Sequence, residues 1–504
     1  MTTTGRSDRK ALPSPSQTSR SLEKEFVGRT FDDFLFRPQA GKVSTRGDVS
    51  LTSKLTPHLP IELPIVSANM DSVTGVSMAQ TMALEGGIGI LHRAQTIEAQ
   101  ADAVARVKRT QGFVVEEPLS LPRDVTIREA REFIRQNRIT GILIEEKRGS
   151  GRLAGMLSNR DIPWLQGHEA EKVEAFMTPI DRLVTAAPGI PVEDAERLMF
   201  ERRIEKLPLI DAKGCIKGLV TKKDIILSRQ RPYSSKDGKG RLLVGAAIGA
   251  RGDYLERAAE CVSAGADVIV IDIAHGHSVV MREAVEALRS RFGAVPLVCG
   301  NVGTAEGALF LRDLGVDAIK VGIGPGRGCR TRLETAAGVP QLQALREVWC
   351  AVGESVPVIA DGGARNDKDI FLALVCGAST VMLGSMLSGT DESPGRVIED
   401  PGTREKHKIY RGMTSPQAVF EALYDESPED LDAALDTPPE GQEMQIAYQG
   451  SVVDILHRMR GHLRSAVSYA GEVTLAEVRA KVLPNPLEYL IPLSESARRE
   501  SYDR

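Results

Sequence analysis

The densest chemistry in this chain lies in Val321-Gly322-Ile323-Gly324-Pro325-Gly326-Arg327-Gly328-Cys329-Arg330-Thr331-Arg332. A thiol stands on a glycine-rich loop, directly after the short stretch Ala318–Val321. Glycines let backbone approach a ligand closely. Arg327, Arg330 and Arg332 lie within three positions of the sulfur, and positive neighbours favour the nucleophilic thiolate. The run reads as a covalent nucleophile beside an anion site. The alternative, an inert Cys in a turn, explains neither the glycines nor the arginines.

Such a loop needs a rigid frame. Short apolar stretches recur and end in Gly, Asn, His, Ala or Ser: 64–69, 87–92, 244–249, 267–274, 296–301, 318–324, 357–362 and 380–385. Continuous rather than alternating hydrophobicity suits strands buried on both faces of a parallel sheet. Helical patterns such as 254–264 and 280–292 fall between them. Eight such units predict an α/β fold, a closed (β/α)8 barrel with its chemistry on the loops after the strands. An open doubly wound sheet is the competing architecture.

Residues 112–232 break that rhythm and repeat internally. Gly155-Met-Leu-Ser158-Asn-Arg-Asp161-Ile returns 63 positions later as Gly218-Leu-Val-Thr221-Lys-Lys-Asp224-Ile. Matching helical stretches begin at Thr126 and Val192. This is a duplicated module inserted between the second and third strands. The barrel is then expected over 26–111 and 233–504, and residues 1–25 are expected to be a disordered polar tail.

Bulk composition excludes several classes. The chain has 504 residues, with 64 Lys+Arg against 68 Asp+Glu and only 4% aromatics. That argues against nucleic-acid binding, which needs a basic excess or stacking platforms. The six cysteines show no C-x-x-C spacing, so a zinc or disulfide framework is not expected. No apolar run could span a bilayer. A cytoplasmic location without membrane partners is the expectation. His275 and His277 are read as strand-end packing rather than metal ligands.

The glycine loop with Cys329, Ile359-Ala-Asp361-Gly-Gly363, Leu383-Gly384-Ser385 and Tyr410-Arg-Gly412-Met413 together resemble the IMP dehydrogenase/GMP reductase family. The repeat resembles a tandem CBS (Bateman) module. The resemblance implies that Cys329 attacks purine C2, with Thr331 and Glu440 handling a proton. It implies nucleotide binding by Asp361 (ribose), by Gly363, Gly384, Ser385 and Tyr410 (5′-phosphate), and by Gly412, Met413 and Met70. It assigns Asp272, Gly322 and Gly324 to a nicotinamide cofactor. It gives Gly324, Gly326 and Cys329 as carbonyl ligands of a monovalent cation such as K+. In the inserted module it assigns Ser158, Asp161, Thr221 and Asp224 to a regulatory purine nucleotide; each Asp could instead cap a helix. Homotetramers or octamers are the assembly it implies. Arg327 departs from the family pattern, which usually has Ser there. It either grips phosphate or faces solvent.

Two reaction directions share a covalent adduct at C2. Dehydrogenases oxidise IMP with NAD and hydrolyse the adduct to XMP, using a flap Arg-Tyr pair to activate water. Reductases expel ammonia from GMP and then take hydride from NADPH. The expected flap, about 413–450, has no Arg or Lys between Gly412 and Pro439, and Tyr424 follows no Arg. Asn69, Ile273 and Thr414 also follow the reductase pattern. The sequence therefore predicts an NADPH-dependent GMP reductase. IMP dehydrogenase with NAD is the alternative, and a non-catalytic purine-nucleotide sensor is the alternative of another class.

Overall fold

The computed structural model describes residues 22–110, 114–115, 118–137, 139–158, 167–223, 225–226, 231–415 and 440–502. Eight parallel strands close into a barrel: β1 Ile65–Ser67, β2 Ile88–Leu91, β3 Val244–Ile248, β4 Val268–Asp272, β5 Leu297–Val302, β6 Ala318–Val321, β7 Val358–Asp361 and β8 Thr380–Leu383. The ring closes where β8 pairs with β1 and β2 with β3. All eight expected stretches are barrel strands, and the open-sheet alternative is excluded. Their apolar side chains are almost wholly buried, as expected of strands packed between a barrel interior and a helical shell.

Helices Val76–Leu84, Ile97–Thr110, Tyr254–Ser263, Val279–Phe292, Ala305–Asp313, Gln341–Val352 and Asp367–Cys376 form that shell. Several start on side-chain caps: Ser278, Thr304 and Asn366 each accept from a backbone N–H of the first turn, worth about 1 kcal/mol apiece. A long C-terminal helix, Val452–Tyr469, packs against the helices at 76–84 and 367–376.

Two corrections to the expected boundaries follow. The tail does not extend to residue 25: Glu23 forms a 2.6 Å ion pair with Arg346, whose side chain is wholly buried, and Phe26 is buried beside it. A buried guanidinium requires such a partner. Nor is the whole of 413–450 a free flap: among the described residues Glu443–Ala447 pairs antiparallel with Lys406–Arg411, while 416–439 lies outside them.

The interval between β2 and β3 forms two small α/β modules. In the first, helix Ile127–Gln136 covers strands Ser120–Pro122, Gly141–Glu145 and Leu153–Ser158. In the second, helix Val192–Glu201 packs against Lys206–Ile210 and Ile216–Thr221. The modules exchange edges: Val114–Val115 completes the second sheet and Thr178–Pro179 the first.

Candidate active site

Strand ends bring the predicted residues to one rim of the barrel. Asp272 ends β4 and Asp361 ends β7. Between them rises Lys320 of β6, 1% exposed. Its ammonium donates to Asp272 Oδ1 at 2.8 Å and to Asp361 Oδ2 at 2.5 Å. Asn69 Nδ2 donates to Asp272 Oδ2 at 2.5 Å. Asn301 Nδ2 donates to Asp361 Oδ2 at 2.9 Å and to the Gly322 carbonyl at 2.7 Å. Five strand-end side chains thus form one polar network across the barrel mouth.

Gly300 makes the space for it. A Cβ there would lie 2.6 Å from Lys320 Cβ, so no larger residue fits beside the lysine. Burial alone would disfavour both charges. The ammonium and the amide of Asn69 nonetheless hold the Asp272 carboxyl below the ordinary carboxylate range. Burial opposes the charge on Lys320 as well, yet the two carboxylates push its pKa above the ordinary lysine value. The pair is therefore ionised on both sides.

The loop that carries Cys329 lies beside this network. Gly324 has φ +77°, and a Cβ there would strike Arg332 at 2.5 Å. The Arg332 guanidinium folds under the loop and donates to the carbonyls of Ile323 and Val339. Arg330 pairs with Glu334 at 2.7 Å, and Arg327 is exposed. Two of the three arginines expected to serve the thiol therefore have other partners. Instead, Cys329 Sγ lies 3.1 Å from Thr331 Oγ1, and Thr331 Oγ1 donates to Glu440 Oε2 at 2.6 Å. Because Thr331 gives its proton to Glu440, its oxygen is left to accept from the thiol. Thiol, hydroxyl and carboxylate form one chain.

Backbone pairing fixes that chain. Arg330 N donates to the Glu440 carbonyl at 2.7 Å, Gln442 N to the Gly328 carbonyl at 3.0 Å and Gly412 N to the Gln442 carbonyl at 3.0 Å. The segment after Glu440 is thus stitched to the Cys loop on one side and to Gly412 on the other. Met413, half-buried, follows in the adjoining turn.

Of the residues expected at a 5′-phosphate, Tyr410 and Gly384 meet, with Met70 beside them. Tyr410 is buried, and burial pushes its hydroxyl pKa up. That hydroxyl lies 3.7 Å from Met70 Sδ, and a Cβ on Gly384 would stand 2.9 Å from it. Gly362, next to Gly363, packs its backbone against Gly326. Ser385 lies just past β8, its carbonyl accepting from Ser388. Gly326 O already accepts from Cys329 N at 3.0 Å.

Sequence reading missed Lys320 and Asn301. The signal was a charge inside a four-residue apolar strand, which a barrel buries only when carboxylates await it. His92 is largely desolvated, which holds its pKa down, while Arg93 is exposed. His275 and His277 are exposed on the loop after β4, with His277 against Phe310 at 4.9 Å, so they do not pack into the core. No cluster of His, Cys, Asp or Glu suited to a metal occurs among the described residues.

In the inserted modules, Ser158 pairs with Gly141 and Thr221 with Lys206, so both occupy the same register position. Asp161, Asp224 and Tyr424 lie outside the described residues. No described helix is long and apolar enough to cross a membrane.

Comparison with known proteins places this geometry. Residues 28–502 match the IMP dehydrogenase / GMP reductase domain. The chain is 43% identical over 460 residues to an inosine-5′-monophosphate dehydrogenase of Nitrosopumilus maritimus (strain SCM1), covering 90% of this chain and 94% of that protein. It is 41% identical over 459 residues to one from Aquifex aeolicus (strain VF5), covering 90% and 92%. Among solved structures, a cysteine-to-alanine variant of GMP reductase from Trypanosoma brucei in complex with guanosine 5′-monophosphate superposes with a TM-score of 0.80. That pair is 38% identical, with 94% of this chain and 96% of the other covered. GMP reductase of the same organism in complex with guanosine 5′-triphosphate gives a TM-score of 0.71 at 34% identity, covering 92% and 97%.

Proposed function

The chain belongs to the IMP dehydrogenase / GMP reductase family and is an oxidoreductase of purine nucleotide metabolism; within that family we propose that it is a GMP reductase, converting GMP to IMP and ammonia. One observation carries the reading. A continuous Cys329–Thr331–Glu440 proton path occurs in a chain whose sequence from Gly412 to Pro439 has no Lys or Arg. Hydrolysis of the adduct needs a cation to orient water. Glu421, Asp425, Glu426, Glu429, Asp430, Asp432 and Asp436 offer the opposite charge.

The proton path balances the reductive chemistry. The Cys329 sulfur bonds to C2 of GMP, and the thiol proton passes through Thr331 Oγ1 to Glu440. The carboxyl then returns that proton to the departing 2-amino group, so ammonia leaves and a sulfur–purine bond remains. General acid–base delivery of this kind contributes about 10²–10⁴-fold. Asp361 would hold the ribose. Gly363, Gly384, Ser385 and Tyr410 would hold the 5′-phosphate through backbone N–H groups and the phenol, and Met70, Gly412 and Met413 would flank the purine.

Asn301 Oδ1 is a buried acceptor with no partner among the described residues, the kind of orphan that a ligand N–H satisfies. With Asp272, Gly322 and Gly324 it suits a nicotinamide, which supplies the hydride when bound. NADPH is the cofactor that accompanies the reductase reading. The carbonyls of Gly324, Gly326 and Cys329 would hold a monovalent cation such as K+; the bond from Cys329 N leaves Gly326 O a second lone pair. The twin modules are read as a tandem CBS domain holding purine nucleotides near Ser158 and Thr221.

The second reading, IMP dehydrogenase using NAD, is favoured by the identity to the dehydrogenases of N. maritimus and A. aeolicus. Purified protein with GMP plus NADPH, and separately with IMP plus NAD, decides between them. Cofactor oxidation in the first mixture supports the reductase. Cofactor reduction with XMP in the second overturns it.

A further inference from the structure

We propose that Lys320 is a positioning residue that couples the nucleotide and cofactor sites, so that filling one improves binding at the other. The inference rests on the reading of Asp361 as the ribose ligand and Asp272 as the cofactor-side carboxylate. Neither group acts alone. Asp272 Oδ1 and Asp361 Oδ2 share one ammonium, at 2.8 and 2.5 Å. Lys320 donates to both carboxylates and is shut off from water. Asn69 fixes the far oxygen of Asp272, and Asn301 ties Asp361 to the Gly322 carbonyl at the root of the Cys loop.

This arrangement makes the two sites one electrostatic unit. A hydroxyl that donates to Asp361 pins that carboxylate and, through the shared ammonium, Asp272 as well, so the network is already ordered when a group bonds to Asp272. The same holds in the other direction, as linkage requires. In a low-dielectric setting the ion pairs that carry this coupling are not screened by water. Lys320 itself touches no bulk-accessible surface from which to contact a substrate directly, so its effect passes through the carboxylates. The charged groups facing the network are Asp272, Asp361 and, from the loop after β2, Arg93, whose field reaches Asp272.

The test uses full-length wild type, Lys320→Met and Lys320→Arg in unreactive pairings: GMP with NADP+ or NAD+, and IMP with NADPH or NADH. Nucleotide Kd is measured calorimetrically with and without saturating cofactor, across pH. For wild type, cofactor tightens nucleotide binding at least about fivefold, the lower end of ordinary coupling between sites. Lys320→Met reduces that factor to one and moves the acid limb of nucleotide affinity to higher pH, because two neighbouring carboxylates without a cation retain a shared proton. Lys320→Arg keeps the charge and restores coupling. A merely structural lysine would change neither the coupling factor nor the pH limb.

Wild type that binds both ligands without coupling overturns the proposal, whether or not Lys320→Met folds. So does a folded Lys320→Met that keeps the coupling, or a Lys320→Arg that loses it as fully as Met. Because both pairings are tried, the direction of turnover does not enter the result. Failure to bind either nucleotide would overturn the parent assignment of the site together with this one, whereas binding without coupling overturns this one alone.

Discussion

The barrel rim and the inserted modules solve opposite problems. At the rim, charged groups are buried but held: Lys320, Asp272, Asp361, Asn69 and Asn301 interlock, and the Cys loop is stitched to Glu440–Gln442 by backbone bonds. Each module instead closes over a small apolar core of its own, one around Ile127, Ile142 and Leu157 and the other around Met199, Leu207 and Val220. The barrel's core is continuous from Phe26 to Leu490. Reaction geometry depends on the continuous unit. The modules' apolar clusters are distinct from the barrel's, and a third small cluster of Leu143, Leu153 and Leu219 joins one module to the other.

The largest effect that distinguishes the two regions comes from the sulfur. Cys329→Ala should lower turnover by at least about a thousandfold, since groups acting as a catalytic unit fail together. Steady-state rates with GMP and NADPH check it, and retained turnover would remove Cys329 from the chemistry. Glu440→Gln should cost about 10²–10⁴-fold in kcat with little change in nucleotide Kd. Single-turnover release of ammonia reads this, and an unchanged rate would break the thiol–hydroxyl–carboxylate path.

The rim network should also mark stability. Asp272 has its pKa lowered by folding, so its contribution is present above the unfolded value near 3.8 and is lost as pH falls through the lower folded value. Lys320 has its pKa raised, so its contribution is present below about 10.5 and is lost as pH rises through the higher folded value. Both are full between those limits. Lys320→Met should cost about 3–5 kcal/mol there by leaving buried carboxylates without their cation. Denaturant melts across pH would show a loss confined to that window.

The smallest catalytic effect should come from the other region. Leu157→Ala, in a core position with no exposure, should destabilise its own module by about 2–5 kcal/mol. The unliganded enzyme should keep kcat within about twofold. A separate low-temperature unfolding step, seen by calorimetry, sharpens the contrast; equal loss of barrel stability would erase it.

Much of this was legible in the chain. Eight apolar stretches ending in small or polar residues specify a parallel barrel because both faces of each strand must be dry, and the repeat at Ser158 and Thr221 marks two equivalent strand ends. The rim network was less legible. Lys320 sits in an apolar run of four, and its meaning depends on Asp272 and Asp361, which lie 48 and 41 residues away. Glu440 meets Thr331 across 109 residues, a contact that spacing does not encode. Glu23 was hidden in a polar leader, because composition averages over the one carboxylate that a buried arginine needs. The arginines around Cys329 misled for the same reason: proximity in sequence did not show that Arg330 and Arg332 bond elsewhere.

The most direct test follows the reduced nicotinamide by absorbance while the full-length protein is given GMP and NADPH, with product identified by chromatography. The account predicts loss of reduced cofactor with stoichiometric IMP and ammonia. Silence with GMP together with rapid XMP formation from IMP and NAD would contradict it.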